Sequence, residues 1–413
     1  SDITSNNLDV TAQDHSIKNI LLGQIAGSSK AAIGAQVLVT KDNSTTSAIV
    51  SNNSILTINN NLNIASKNLK DNNQVIVAGN FAGKAALNVN VIENTISDNA
   101  IAKIINSTVT AGTLNIEAKE DINASRVVVA ATVAANVALN ASPLINYYGD
   151  KSDETNEANK RGKTIAEISG STINGAKTTL QSDTDIKTRD IAVGVAGAGE
   201  GFAATGLAIR NNYDTITKAI IDSNSTINTS KDVILNANST ANANNWIVGV
   251  SAVGQGASII ADVIINDLTS TVETAIIDST IKKAGNIALN TNKNKKDKFN
   301  NQALSGNVAG EGAAASANVI YNLYNNKVIS RIHNTSVDSS NSITAQAFSD
   351  RAINNFDIGL GIAGIGADLL ANALVNKIST ETLSYVDAQS KTMTTSGALT
   401  VKAEDKTFSD NTM

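Results

Sequence analysis

The segment GTLNIEA (Gly112–Ala118) returns near the end of the chain as GALTVKA (Gly397–Ala403), and looser forms of it recur at regular intervals. Its mark is an apolar residue followed two positions later by a very small one. The pairs are Val10/Ala12, Ile64/Ser66, Ile116/Ala118, Leu180/Ser182, Leu235/Ala237, Leu289/Thr291, Ala345/Ala347 and Val401/Ala403. Their first members are separated by 54, 52, 64, 55, 54, 56 and 56 residues. Repeated units bury their apolar faces only by stacking on one another, so this period decides the architecture. Length alone, 413 residues, would suggest several domains. A stacked array grows without a domain boundary, and the expectation is one array over residues 1–413.

Between the core positions stand polar residues: Asn63, Asn115, Glu117, Thr179, Gln181, Asn236, Asn290, Thr344, Gln346, Thr400 and Lys402. That period of two marks a strand with one buried face, and the three-and-four spacing of a helix is rare here. A second strand recurs about twelve to fourteen residues earlier, with core positions Val50, Ile104, Ile168, Ile220, Ile276, Ile332 and Val386. Two residues after each come Asn52, Asn106, Gly170, Asp222, Asp278 and Asn334, with Ala388 the exception. Asn, Asp and Gly tolerate left-handed backbone angles, so the position asks for a corner.

The rest of each unit is a stretch rich in Ala, Gly and Val that ends in asparagine: Asn94, Asn146, Asn211, Asn266, Asn322 and Asn376. Like residues one repeat apart can form a side-chain amide ladder, and a capped turn would explain the position equally well. The small residues imply either close approach of two sheets or a bend. The fold expected is all-β, a right-handed parallel β-helix of about 54-residue repeats, each two to three coils. With strands ~4.8 Å apart that would make a rod of roughly 75 to 110 Å.

Composition narrows the function. Apolar residues make up 42% of the chain but aromatic ones only 3%, so the core is thin and aliphatic. There is no cysteine, which removes disulfides and thiolate metal sites and suits bacterial export. The single proline, Pro143, suits a chain whose backbone N–H groups nearly all join ladders. A net charge of −5 with 17% charged residues argues against nucleic acid as a partner. No apolar run reaches the ~18 residues of a membrane-spanning helix, so no stable membrane insertion is expected. Ser1–Asp14 shows no signal peptide, and the sequence reads as a piece of a longer protein.

The long 64-residue interval locates an insert at 147–162, YYGDKSDETNEANKRG, which is polar, free of alternation and expected to protrude. It is the candidate interaction loop, with Tyr147, Tyr148, Asp150, Lys151, Asp153, Glu154, Glu157, Lys160 and Arg161 as its residues. A shorter basic loop, NKNKKDK (292–298), follows a strand. No catalytic, cofactor or metal residue is assigned. His15 and His333 are the only histidines, and His333 occupies an outward slot that holds Ile or Ser in other repeats. The glycine pairs Gly199/Gly201, Gly254/Gly256, Gly310/Gly312 and Gly364/Gly366 recur at 55, 56 and 54 residues, which reads as a structural turn and not as a phosphate loop. The G-G-x-G-x-D calcium pattern is missing, and no column of carboxylates suits a polysaccharide-cleaving β-helix.

The run Gly-x-Leu-x-Ile-x-Ala (Gly112–Ala118) resembles the coils of filamentous-haemagglutinin-like exoproteins of two-partner secretion and of large autotransporter passengers. VGVAGAGEGFAATGLAIRN (Val193–Asn211), followed by KAIIDSNSTI (Lys218–Ile227), is similar to the repeats of leukotoxin-type exoproteins. That resemblance implies a protein secreted from, or displayed on, the bacterial outer surface. It would contact a host receptor or glycan as an adhesin, or form part of a cytotoxin, and would pass an outer-membrane transporter during secretion.

Overall fold

The structure, a computed structural model, describes residues 2–149 and 162–413. The expected contact residues Asp150, Lys151, Asp153, Glu154, Glu157, Lys160 and Arg161 therefore lie outside the described residues. The described residues form nineteen strands and no helix, joined in one sheet whose pairings are parallel. The chain is thus an all-β parallel solenoid. Its registers show how it winds: Val10 pairs Ile64, Ile64 pairs Ile116, Ile116 pairs Leu180, and the column continues through Leu235, Leu289, Ala345 and Val401.

Each strand therefore pairs with the strand one whole repeat later. This corrects the expectation of two to three coils per repeat: one repeat is one coil. Only a full-repeat offset sets Asn on Asn and Gly on Gly, so shorter coils would have mismatched every column. Eight layers at ~4.8 Å spacing give a stack about 34 Å tall, not a long rod.

A layer is a flattened loop. In one layer an outgoing wall (61–82) runs to a tight turn at Gly83 and Lys84, and a return wall (85–105) runs back beside it. A corner follows at Asn106, with φ +47°, and a short side begins at Thr108. Walls of roughly twenty residues extend up to about 70 Å. The molecule is a slab with a three-sided thick end and a thin edge.

The thick end is filled by stacked aliphatic residues, among them Ile64, Ile104, Val109, Ile116, Ile168 and Leu180. The corner column has positive φ at Asn52, Asn106, Gly170, Asp278 and Asn334, as the sequence pattern asks. In one layer the expectation was off by a residue. Ile168 pairs Ile221, not Ile220, and the left-handed residues there are Ser223 and Asn224 instead of Asp222. Ile220 and Ile221 are equally apolar, so residue type did not distinguish the inward one.

The thin edge explains the glycine pairs. Facing walls there meet through alanines such as Ala138, Ala196, Ala203 and Ala309, so the sheets approach closely. At the turn, Gly256 has φ +123°, and a Cβ on it would lie 2.0 Å from the Gly201 carbonyl oxygen. The same crowding recurs one layer up at Gly312.

Midway along the walls the asparagine column is a ladder inside the core. Asn146 donates to Asn211 at 2.7 Å, Asn266 to Asn322 at 2.8 Å and Asn322 to Asn376 at 2.9 Å. The opposite wall carries a second column, in which Asn245 donates to Asn301, Asn301 to Asn355 and Asn355 to Asn411 at 2.7 to 2.8 Å. The two ladders are cross-linked: Asn211 donates to Asn245 at 2.9 Å and Asn245 to Asn266 at 2.9 Å. Primary amides both donate and accept, so a stack of them can satisfy itself, and buried amides need such partners. The ladder runs from Asn146 upward; between Asn94 and Asn146 it is interrupted, with Asn94 Nδ2 and Asn146 Oδ1 unpaired.

Two outcomes are expected. Gly256→Ala should lower unfolding stability by about 2 kcal/mol or more through positive-φ strain and backbone contact, whereas Gly306→Ala, which meets nothing within 4 Å, should be nearly neutral in denaturant melts. Asn266→Leu, which strips four buried amides of a partner, should cost about 2–4 kcal/mol, while Asn354→Leu on the exposed outer ladder should cost under about 1 kcal/mol.

Candidate functional site

The described wall stops at Gly149 and resumes at Gly162, and the core beneath these two ends holds charged side chains. Tyr147 and Tyr148 belong to the strand that ends there, so the expected loop boundary moves inward. Tyr147 points outward and is half-buried, but Tyr148 is 1% exposed and faces the core. Its ring stacks on Tyr213 at 5.0 Å, and ring contacts run on from Tyr213 to Phe299 of the facing wall and from Phe299 to Tyr324. Tyr148 is thus a core residue that anchors the strand end preceding the insert.

The anchor is charged. In these layers the second ladder column holds Arg126 and Asp190 in place of asparagines, and Arg126 Nε lies 2.7 Å from Asp190 Oδ1 with both side chains fully buried. Arg126 also donates to the Tyr148 hydroxyl, and Asn146 donates to Asp190 Oδ2 at 3.3 Å, which joins the pair to the asparagine ladder. Burial pushes the Tyr148 phenol well above its usual range, so it stays a neutral acceptor for Arg126. A buried pair is costly to break, because the remaining charge is left uncompensated.

Where the wall resumes, a second polar cluster lies inside it. Glu120 accepts a hydrogen bond from Thr164 Oγ1 at 3.2 Å, and Asp98 accepts from the Ser44 backbone N–H at 2.8 Å. Lys70 Nζ lies 2.5 Å from Asp14, 3.4 Å from Asp42 and 3.5 Å from Asp98. Burial, with the nearby Asp98 charge, raises the Glu120 carboxyl to about 8. Burial likewise raises Asp262, in the core near the thin edge, to about 8. A Cβ on Gly249 would stand 2.6 Å from Asp262 Oδ2, so the glycine makes room for that carboxyl.

Elsewhere the polar outer walls are balanced. Lys103 pairs Glu167 at 2.6 Å, Lys218 pairs Glu273 at 2.9 Å and Lys327 pairs Glu381 at 3.0 Å, each to an adjacent layer. His15 Nε2 lies 3.5 Å from Asp71 and His333 Nδ1 lies 3.2 Å from Asp387, all four being surface groups. The basic loop at 292–298 is a tight turn with positive φ at Asn292 and Asn294, and Lys296 lies 3.6 Å from Asp350.

Sequence reading missed the second asparagine column and the two buried charged clusters. The first had a signal in the Asn-Asn doublets at 244–245, 300–301 and 354–355, which recur at 56 and 54 residues. Arg126 and Asp190 had none, because the insert places them 64 residues apart. No protein-family model, curated protein or solved structure matches this chain.

The buried carboxyls set a pH dependence. The folded chain keeps the Glu120 and Asp262 protons up to about pH 8, whereas the unfolded chain releases them near 4 to 4.5, the ordinary carboxyl range. Between those limits the folded state binds more protons, so rising pH favours unfolding. Thermal melts should show stability falling from pH 5 to pH 8. Glu120→Gln should raise the melting temperature at pH 8, leave it nearly unchanged at pH 4 and flatten the slope between.

Proposed function

We propose that this chain is a β-solenoid passenger segment of a bacterial exoprotein, secreted or held at the outer cell surface, that serves as an adhesive stalk against host or neighbouring cells. The observation that carries the reading is the register: one coil per repeat yields broad flat walls whose side chains recur every layer, so a weak contact is offered many times over. Ladder pairing of nearly every residue and the absence of cysteine suit a chain that crosses an outer-membrane transporter unfolded and then stacks layer on layer. The outward carboxylates just described are held by neighbouring lysines, and each histidine has a single carboxylate beside it, which favours a binding role over a catalytic one. The insert follows a strand end that Arg126 and Asp190 hold at Tyr148, and as the longest break in the repeat it is the favoured contact point.

A second reading, a segment of a secreted cytotoxin, is favoured by one observation: outward Val, Ile and Leu are exposed along the thin end of the slab. Labelled protein applied to host epithelial and leukocyte cells, and to a glycan array, tests the two. Saturable binding without lysis supports the adhesin, lysis supports the cytotoxin, and neither binding nor lysis overturns both. Replacing 150–161 with a short Gly-Ser linker should reduce binding at least tenfold if the insert is the contact, and should leave it intact if the walls are.

A further inference from the structure

The thin end of the slab is apolar on its outer faces. On the outgoing wall the inward positions mix polar residues, such as Asn80, Thr132, Ser251 and Asn307, with alanines and with the aliphatic Ile76, Val128, Ile247 and Val253, and all of these are buried. The outward positions between them are Val77, Val129, Val195, Val250 and Val308, which are 37% to 45% exposed although they lie in layers with neighbours above and below. The return wall repeats this, with Asn88, Asn140 and Ser142 inside beside Leu207 and Ile260, and Leu87, Leu139 and Ile259 outside. A sheet in water turns its asparagines out and its valines in. A continuous apolar outer face belongs to strands that face hydrocarbon.

The apolar faces have defined limits. From Val75 to Ala82 on one wall and from Ala85 to Ile92 on the other, eight residues span about 26 Å, close to the ~25–30 Å of a bilayer's hydrocarbon. No Asp, Glu, Lys or Arg points outward within 127–134, 191–198, 246–253 or 302–309. Beyond the far limit stand the turn residues Lys84, Glu200 and Glu311, and at the near limit stand Trp246, Phe356 and Tyr321, with Asn244, Asn300 and Asn354 just outside. Aromatic residues at such a border sit well at a membrane–water interface.

From this we infer that the thin end of the slab is a lipid-embedded surface, with both of its outer faces in the hydrocarbon of a phospholipid membrane. A second copy of the chain would cover one face and leave the other in water, whereas lipid surrounds an edge from both sides. The backbone groups of the inner layers are paired with the layers on either side, as an apolar solvent requires. The inference replaces the expectation of no stable membrane insertion. That expectation came from a helix-length criterion, and strands of this kind fall outside it. It is independent of the adhesive reading, because its test uses vesicles that carry neither protein nor glycan.

Trp246 is the only tryptophan and lies at the border of the apolar face, its Nε1 donating to Asn244 at 2.9 Å, so it reports directly. The whole chain is mixed with phosphatidylcholine vesicles, floated on a density gradient, and read by Trp246 emission with and without brominated lipid. The expected result is co-flotation that persists in 1 M salt, a blue-shifted emission and quenching by brominated chains. Val129→Glu with Val250→Glu on one wall, or Leu139→Glu with Ile259→Glu on the other, should each lower the bound fraction at least tenfold while circular dichroism stays all-β. If these variants misfold, Val129→Thr with Val250→Thr serves, with a smaller loss expected. Absence of flotation and quenching for the unaltered chain overturns the proposal. So does an emission shift that follows protein concentration without vesicles and accompanies a sedimenting dimer, which would make the face a contact between copies.

Discussion

Parallel pairing at an offset of one whole repeat is the constraint on which everything else rests. It sets each side chain directly above its counterpart one layer below, so every position becomes a column and must tolerate its own kind as a neighbour. Aliphatic columns do so by packing, as from Ile64 through Ile116 to Leu180. Glycine columns do so by leaving the turn backbones free to approach. A buried column of one charge would repel itself. The interior therefore carries polarity as amides, which donate upward and accept from below, and the double asparagine ladder follows from the same rule.

Two exceptions to that rule flank the insert, and others, Asp262 and the stacked Asp297 and Arg351, lie elsewhere in the core. Beneath the strand end at Gly149, amide-on-amide is replaced by Arg126 on Asp190, an unlike pair that neutralises itself over two layers and ties down Tyr148. Where the chain returns, Glu120 is buried beside Asp98 and stays protonated to about pH 8, which relieves the repulsion of two adjacent carboxylates. Charged groups that are costly to bury thus lie beneath both wall ends that flank the insert. Along each layer the character changes steadily, from ion-paired walls near the thick end to apolar outer faces at the thin edge.

Much of this was legible in the residues. The column from Val10 to Val401 emerged in the register the spacing implied, the corner asparagines took left-handed angles, and the glycine pairs proved to be tight turns. The sequence left open whether Asn94 and its successors form a ladder or cap a turn; the bonds from Asn146 through Asn376, with the facing column at Asn245 and Asn301, decide for the ladder above Asn94. Period-two alternation does not say which face is inside, however. Along Ile191–Ala198 both sets are small or apolar, and the exposed apolar outer faces of the thin end became visible only with the two walls face to face.

By itself the sequence determined that the chain is all-β, that it stacks, and which residues share a column, because those are properties of a period and need no knowledge of what lies opposite. Only the tertiary structure decided that a repeat is one wide coil and not several narrow ones. It also decided that Ile221 and not Ile220 faces inward, that Tyr148 is a core anchor, and that Arg126 meets Asp190. Each of these depends on which strand lies beside or across from which, and a one-dimensional period contains the distance to the next like residue but not the path the chain takes to reach it.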